Sequence, residues 1–283
     1  MIISVISNFM NIFGNAILIW GVGIGVAGAA ISTLLSRIFC AVMVMFWLRR
    51  PCYALRVYNY RSIRPQWNYI RKILSIGVPS GIENGMFQFG KLAIQSTVST
   101  LGTVAIAAQA MTNILENLNG VAAIGVGIGL MTVVGQCIGA QRKDEAIYYI
   151  KRLSWLSEIV ILISCAVVYL LAKPVTILGG MEAESARLCL QMVAFITITK
   201  PISWVLSFIP AYGMRAAGDV KFSMITSCAS MWLCRVSLCI YLCRVWGFGP
   251  IAVWIGMFSD WIVRGIFFTR RYMSRKWLEF HVL

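Results

Sequence analysis

The 283-residue chain is 59% hydrophobic and only 12% charged, against about 25% charged in an ordinary globular protein. Its mean hydropathy of +0.80 excludes a water-soluble chain and leaves a polytopic membrane protein with no stretch for a soluble domain. The formal charge of +15 does not point to nucleic acid, because the basic residues fall in short connections between apolar runs, the pattern that orients membrane proteins.

In chain order the apolar runs predict an all-α fold of eight spanning helices, near 2–20, 25–48, 70–98, 104–136, 147–172, 185–212, 221–245 and 249–271. The one long connection, Arg49 to Tyr69, and the helix start after it carry Arg49, Arg50, Arg56, Arg61, Arg64, Arg71 and Lys72 with no acid. Further basic clusters follow at Arg142, Lys143, Lys151 and Arg152, at Arg215 and Lys221, and at Arg270, Arg271, Arg275 and Lys276. The alternate connections at 21–27 and 99–103 carry no charge, and that at 173–187 balances two bases against two acids. By the positive-inside rule the basic set is cytoplasmic, and both termini with it. Tyr53, Tyr58, Tyr60, Trp67 and Tyr69 interleave with the arginines of the long connection. Such a mixture can bind single-stranded nucleic acid, but beside a bilayer it reads as an interfacial segment on anionic lipid.

Two glycine motifs carry no nucleotide chemistry. Gly23 to Gly28 matches G-x-G-x-x-G in letters, yet apolar spans flank it and the first acid in the chain is Glu83; it reads as a tight turn. Gly125 to Gly129 lies inside a span, where small residues permit close helix packing. The nine cysteines show no metal spacing and read as small apolar residues in lipid. His281 is the only histidine. No metal set, catalytic residue or nucleophile–base constellation emerges, so an enzyme is the least fitting class.

The third helix carries Ser80, Asn84, Gln88, Lys91 and Gln95 at steps of four, four, three and four, which puts them on one face. A polar stripe on a membrane helix should face protein or a watery cavity, and a cavity lining is expected here; Glu83 stands about 100° from the stripe. By residue count Glu83, Glu116, Glu158, Lys200, Arg235 and Asp260 lie near mid-membrane, where charge costs roughly 2.5–3.5 kcal/mol per residue on insertion scales. Asp260 and Arg264, spaced i, i+4, should pair within one helix, with Arg235 a second candidate partner for Asp260. Lys200, just before Pro201 at an expected helix break, needs a carboxylate, and Glu83 or Glu116 is nearest in depth.

Residues 28–50 repeat weakly at a shift of 221: Gly28 meets Gly249, Val42 meets Val263, Phe46 meets Phe267, and Arg49-Arg50 meets Arg270-Arg271. The repeat pairs a two-helix unit with the end of a six-helix set, an arrangement common in transport folds. It implies that four helices of a first half precede this chain. Met1 opens straight into an apolar helix without a basic flank or cleavage pattern, which is neither a signal peptide nor an ordinary start. The expected organisation is the end of an N-terminal lobe over 1–50, a cytoplasmic basic linker over 51–69, a six-helix C-terminal lobe over 70–272 and a cytoplasmic tail over 273–283.

PSGIEN, LGTVAIAAQ, GQCIGAQRKDEA, MRAAGDVKF and GPIAVWIGMFSDWIVR, in this order and spacing, resemble the multidrug and toxic compound extrusion (MATE) transporters across essentially the whole chain. Gly135-Gln136, Gly139-Ala140 and Ala146 match the end of that family's eighth helix; Arg215, Gly218 and Asp219 match the loop before its eleventh. The resemblance implies a twelve-helix, two-lobed transporter of the bacterial inner membrane, of which this chain would be helices five to twelve. It implies export of cationic amphipathic compounds in exchange for sodium ions or protons, by a monomer dependent on its N-terminal lobe, with no other cofactor. Where some branches carry a coupling acid on the seventh helix the chain reads Met86-Phe87-Gln88, and the mid-helix charge of the tenth is Lys200, so the coupling ion stays open. Glu83 and Glu116 are expected to contact cation or substrate, Asn84, Gln88 and Lys91 to line the cleft, and Lys200 to join them. The alternatives are a related flippase for lipid-linked oligosaccharides, which an arginine-rich cavity would favour, and a membrane fragment that does not transport.

Overall fold

The computed structural model describes residues 2–49 and 66–279, apart from the side chains of Lys72 and Ile76. The tyrosine- and arginine-rich connection at 50–65 and His281 lie outside these residues, and with them the interfacial role expected of that connection. The described elements are helices: α1 (Ile2–Ala16, prolonged by a π-helical turn Ile17–Gly21), α2 (Val26–Trp47), α3 (Trp67–Ser99), α4 (Thr103–Gly139), α5 (Lys143–Leu178), α6 (Ala183–Ala216), α7 (Val220–Ser230), a π-helical turn Met231–Val236, α8 (Ser237–Arg244) and α9 (Ile251–Met273). With α7 and α8 joined through their π turn, the eight expected helices are all present. Seven are long and apolar enough to cross a membrane. α3 is the exception. Its 33 residues suffice in length, but the polar stripe and Glu83 interrupt its apolar run.

The chain divides into two compact units, Met1–Trp67 and Asn68–Leu283. In the first, α1 and α2 form a hairpin held by small polar residues. The Ser7 hydroxyl donates to the Ser36 carbonyl at 2.9 Å, the Ser32 hydroxyl to the Asn11 carbonyl at 3.0 Å, and the Asn11 amide to the Thr33 hydroxyl at 3.2 Å. Such a seam is how helices associate where lipid removes the hydrophobic drive between them. The glycine motif between them is a turn, with Gly23 at φ 74° and Gly25 at φ 58°.

In the second unit α4 packs on α5 and α6, and α6 on α9, around buried Leu115, Leu130, Ile161, Met192 and Ile209. Leu162, Ile163 and Leu170 of α5 point outward, the apolar surface that a bilayer requires. The helix break expected at Pro201 is absent: α6 runs unbroken through Pro201 and Pro210. Proline costs α6 one backbone hydrogen bond at each site, and burial on both sides of Pro201, at Lys200, Ser203 and Trp204, holds the helix together nonetheless. The π turn at Met231–Val236 lies against α9 so closely that a Cβ on Gly256 would stand 2.8 Å from the Arg235 carbonyl oxygen. Beyond α9 the chain folds back, burying Trp277, whose indole N–H donates to the Tyr272 carbonyl at 3.2 Å.

Candidate functional site

A cavity of ≈ 400 Å³ opens among α3, α4, α6, α9 and the π turn. α4 contributes Gln109, Asn113, Glu116 and Asn117, which recur at helical spacing on one face; α3 contributes Phe87, Lys91 and Gln95. Trp204, Phe208 and Tyr212 of α6 and Trp261 of α9 add aromatic surface, and Arg235 reaches in from the π turn. Aromatic walls with a few convergent polar groups are the usual make-up of a small-molecule site. A larger groove of ≈ 740 Å³ between α6 and α9 exposes mainly apolar surface, from side chains such as Ile202, Leu206 and Ile266, although Ser203, Thr269 and Arg270 also border it. It lacks the convergent polar groups of a selective site.

Lys200 lies behind the cavity wall, fully buried. Its ammonium donates to Glu116 Oε1 at 2.7 Å and to the Glu116 carbonyl at 3.2 Å. The Trp204 ring centroid stands 5.9 Å from the same nitrogen. Gly120, one turn after Glu116, leaves the space: a Cβ there would sit 3.4 Å from Nζ. Of the two carboxylates in depth range for Lys200, the fold selects Glu116.

Glu83 is placed elsewhere. It is buried and accepts an ion-paired hydrogen bond from Arg215 Nη2, in the last turn of α6, while Arg215 Nε donates to the Ser223 hydroxyl at 2.9 Å. Glu83 therefore ties α3 to the ends of α6 and α7; it neither meets Lys200 nor lines the cavity. Asn84 and Gln88 are exposed and absent from the cavity lining, and the Asn84 amide donates to the Ser80 carbonyl at 2.9 Å. Of the expected stripe, only Lys91 and Gln95 line the cavity.

Asp260 and Arg264 form their i, i+4 pair at 2.8 Å, with Arg264 2% exposed and Asp260 fully buried. The Ser230 hydroxyl donates to Asp260 Oδ1 at 2.6 Å, and the guanidinium stacks between Phe87 and Phe208, 4.9 and 5.0 Å from their ring centroids. Arg235 is not part of this group, contrary to expectation. Among the described residues it has no ion pair or hydrogen bond, and its Nε is buried without a partner. Arg235, carried on the π turn, lines the cavity and stays within the field of Asp260, while Arg264 makes the direct ion pair with that carboxylate. No three His, Cys, Asp or Glu among the described residues converge on a point where a metal could sit.

Residues 79–241, more than half of the chain, match the MatE family model. The chain belongs to the MATE family. It is 25% identical to the probable multidrug resistance protein NorM of Thermotoga maritima, with all of this chain and 61% of that protein aligned. It is also 25% identical to the uncharacterized transporter YisQ of Bacillus subtilis, over 99% of this chain and 62% of that one. The chain thus spans less than two thirds of the length of these MATE relatives. Among solved structures, an outward-facing multidrug resistance MATE transporter of the MOP superfamily superposes with a TM-score of 0.85 at 19% identity, over 97% of this chain and 62% of the other. The all-α polytopic membrane fold is that of MATE proteins.

Proposed function

We propose that the chain is the greater part of a multidrug efflux transporter, which moves amphipathic small molecules across the inner membrane of a bacterium by alternating access. The observation that carries this reading is the polar, aromatic cavity inside the helical unit that the family model matches. The relatives described as multidrug resistance proteins support the same reading. Helix units that rock around a site near mid-membrane are the general device of such carriers. A ligand drives the cycle only through its unequal affinity for the two states.

Both termini are cytoplasmic in this scheme, which places the basic connections on the inner side. Export is coupled to inward flow of sodium ions or protons. A coupling cation at Glu116 would have to compete with Lys200, which already holds that carboxylate. The test is accumulation of a panel of amphipathic dyes, of both charges, in cells expressing the chain. Retention of at least one dye should fall, and the fall should vanish when the coupling gradient is collapsed. Unchanged retention of every dye, with the protein present in the membrane, overturns the reading.

A further inference from the structure

The charge around the cavity does not sum to what a cationic substrate needs. Three charged side chains line it: Lys91, Glu116 and Arg235. The only negative one, Glu116, is already held by the buried Lys200 ammonium at 2.7 Å. The nearest other carboxylate that the geometry places here, Asp260, is held twice by Arg264 and once by Ser230. Lys91, which is exposed, and Arg235 form no ion pair among the described residues; Asp260 and Glu116 act on Arg235 only from a distance and are each already paired, so the cations around the cavity outnumber the acids.

Arg235 is the more telling of the two. A guanidinium inside a protein is costly unless it is paired and its N–H groups are bonded. Its Nε has no partner, although its backbone is held firmly where the π turn meets Gly256. π-helical turns recur at functional sites because they re-aim side chains, and this one presents a planar fork of donors suited to a carboxylate or sulfonate. Trp204, Phe208, Tyr212 and Trp261 line the same cavity with aromatic side chains, and Gln95, Gln109, Asn113 and Asn117 add neutral polar groups.

We propose that this cavity takes amphipathic aromatic anions, carboxylates or sulfonates, in place of the cationic compounds that the family resemblance implies. The proposal rests on the reading of the cavity as the transporter's substrate site. The ring system stacks on the tryptophan and phenylalanine walls, and the acid group bonds the Arg235 fork with Lys91 as second cation. The fixed Lys200 keeps Glu116 from attracting a cation into the same space.

The experiment compares two probes of equal size and opposite charge, 2-naphthalenesulfonate and 2-naphthyltrimethylammonium, by titration against the purified chain in nanodiscs of zwitterionic lipid. The expected result is saturable binding of the sulfonate at least tenfold tighter than of the ammonium. Arg235→Gln should weaken the sulfonate about tenfold, the loss of one charge-assisted contact. Lys91→Gln should weaken it less, and Arg235→Lys should fall between. Thermal unfolding of each variant, unchanged from the parent, separates lost binding from lost folding. Tighter binding of the ammonium overturns the anionic class and leaves the transport reading intact. Sulfonate uptake that neither Arg235→Gln nor Lys91→Gln alters is partition into lipid and also overturns it. Binding of neither probe removes the cavity as a ligand site, and the transport reading with it.

Discussion

Arg264 and Asp260 pair within one helix, whereas Lys200 and Glu116 pair across two, and the contrast separates a sealed charge from an accessible one. The first pair is closed off by Phe87, Phe208 and Ser230 and is 2% and 0% exposed at its side chains. The second joins a fully buried ammonium to a carboxylate that is 16% exposed at the cavity wall. In a low-dielectric interior a charge that loses its partner cannot be rescued by water, while one at a wet wall can. The sealed pair therefore serves packing, and the open one sets the electrostatics of a site.

The most severe way to test this contrast is Asp260→Ala, which strands Arg264 among aromatic rings. It should cost about 3–5 kcal/mol, read as a large drop in unfolding temperature in detergent or as failure to accumulate in the membrane. Lys200→Met should cost less, about 2 kcal/mol, because Glu116 can turn to water or take up a proton. The double variant Lys200→Met/Glu116→Gln should recover most of that loss, as uncharged replacements of buried pairs do. Equal losses for Asp260→Ala and Lys200→Met would erase the distinction. Glu83→Gln should cost about 1 kcal/mol, since the Arg215 side chain is already 25% exposed and can turn to solvent. Arg142→Ala removes a pair whose partners are 67% and 49% exposed, and its unfolding temperature should match the parent within error, as exposed pairs contribute little.

The two pairs also differ in how far the sequence announced them. Asp260 and Arg264 are one helical turn apart, so their meeting is local and follows from spacing alone. Lys200 and Glu116 are separated by 84 residues, and residue counting placed Glu83 and Glu116 at the same depth. That count fails because α3 and α6 run for 33 and 34 residues, far beyond the roughly 20 needed to span a bilayer. Glu83 consequently meets the end of α6 at Arg215, and only Glu116 reaches Lys200. The stripe on α3 is legible in the sequence, and so is its counterpart on α4: Gln109, Asn113, Glu116 and Asn117 recur at helical spacing and line the same cavity. Arg235 could not have been placed from spacing, since a π turn shifts the register of everything it carries.

By itself the sequence determined the all-α membrane fold, the approximate helices and the family motifs, because each depends on apolar run length or on residues close together in the chain. Which charges pair directly, which stay outside an ion pair, and where the polar faces of α3 and α4 enclose a cavity were decided only by the tertiary structure. Those outcomes depend on helix overshoot, on the π turn at Met231–Val236 and on the close approach at Gly256. None of these leaves a local periodic signal. A buried charge is matched by whichever partner the packing delivers.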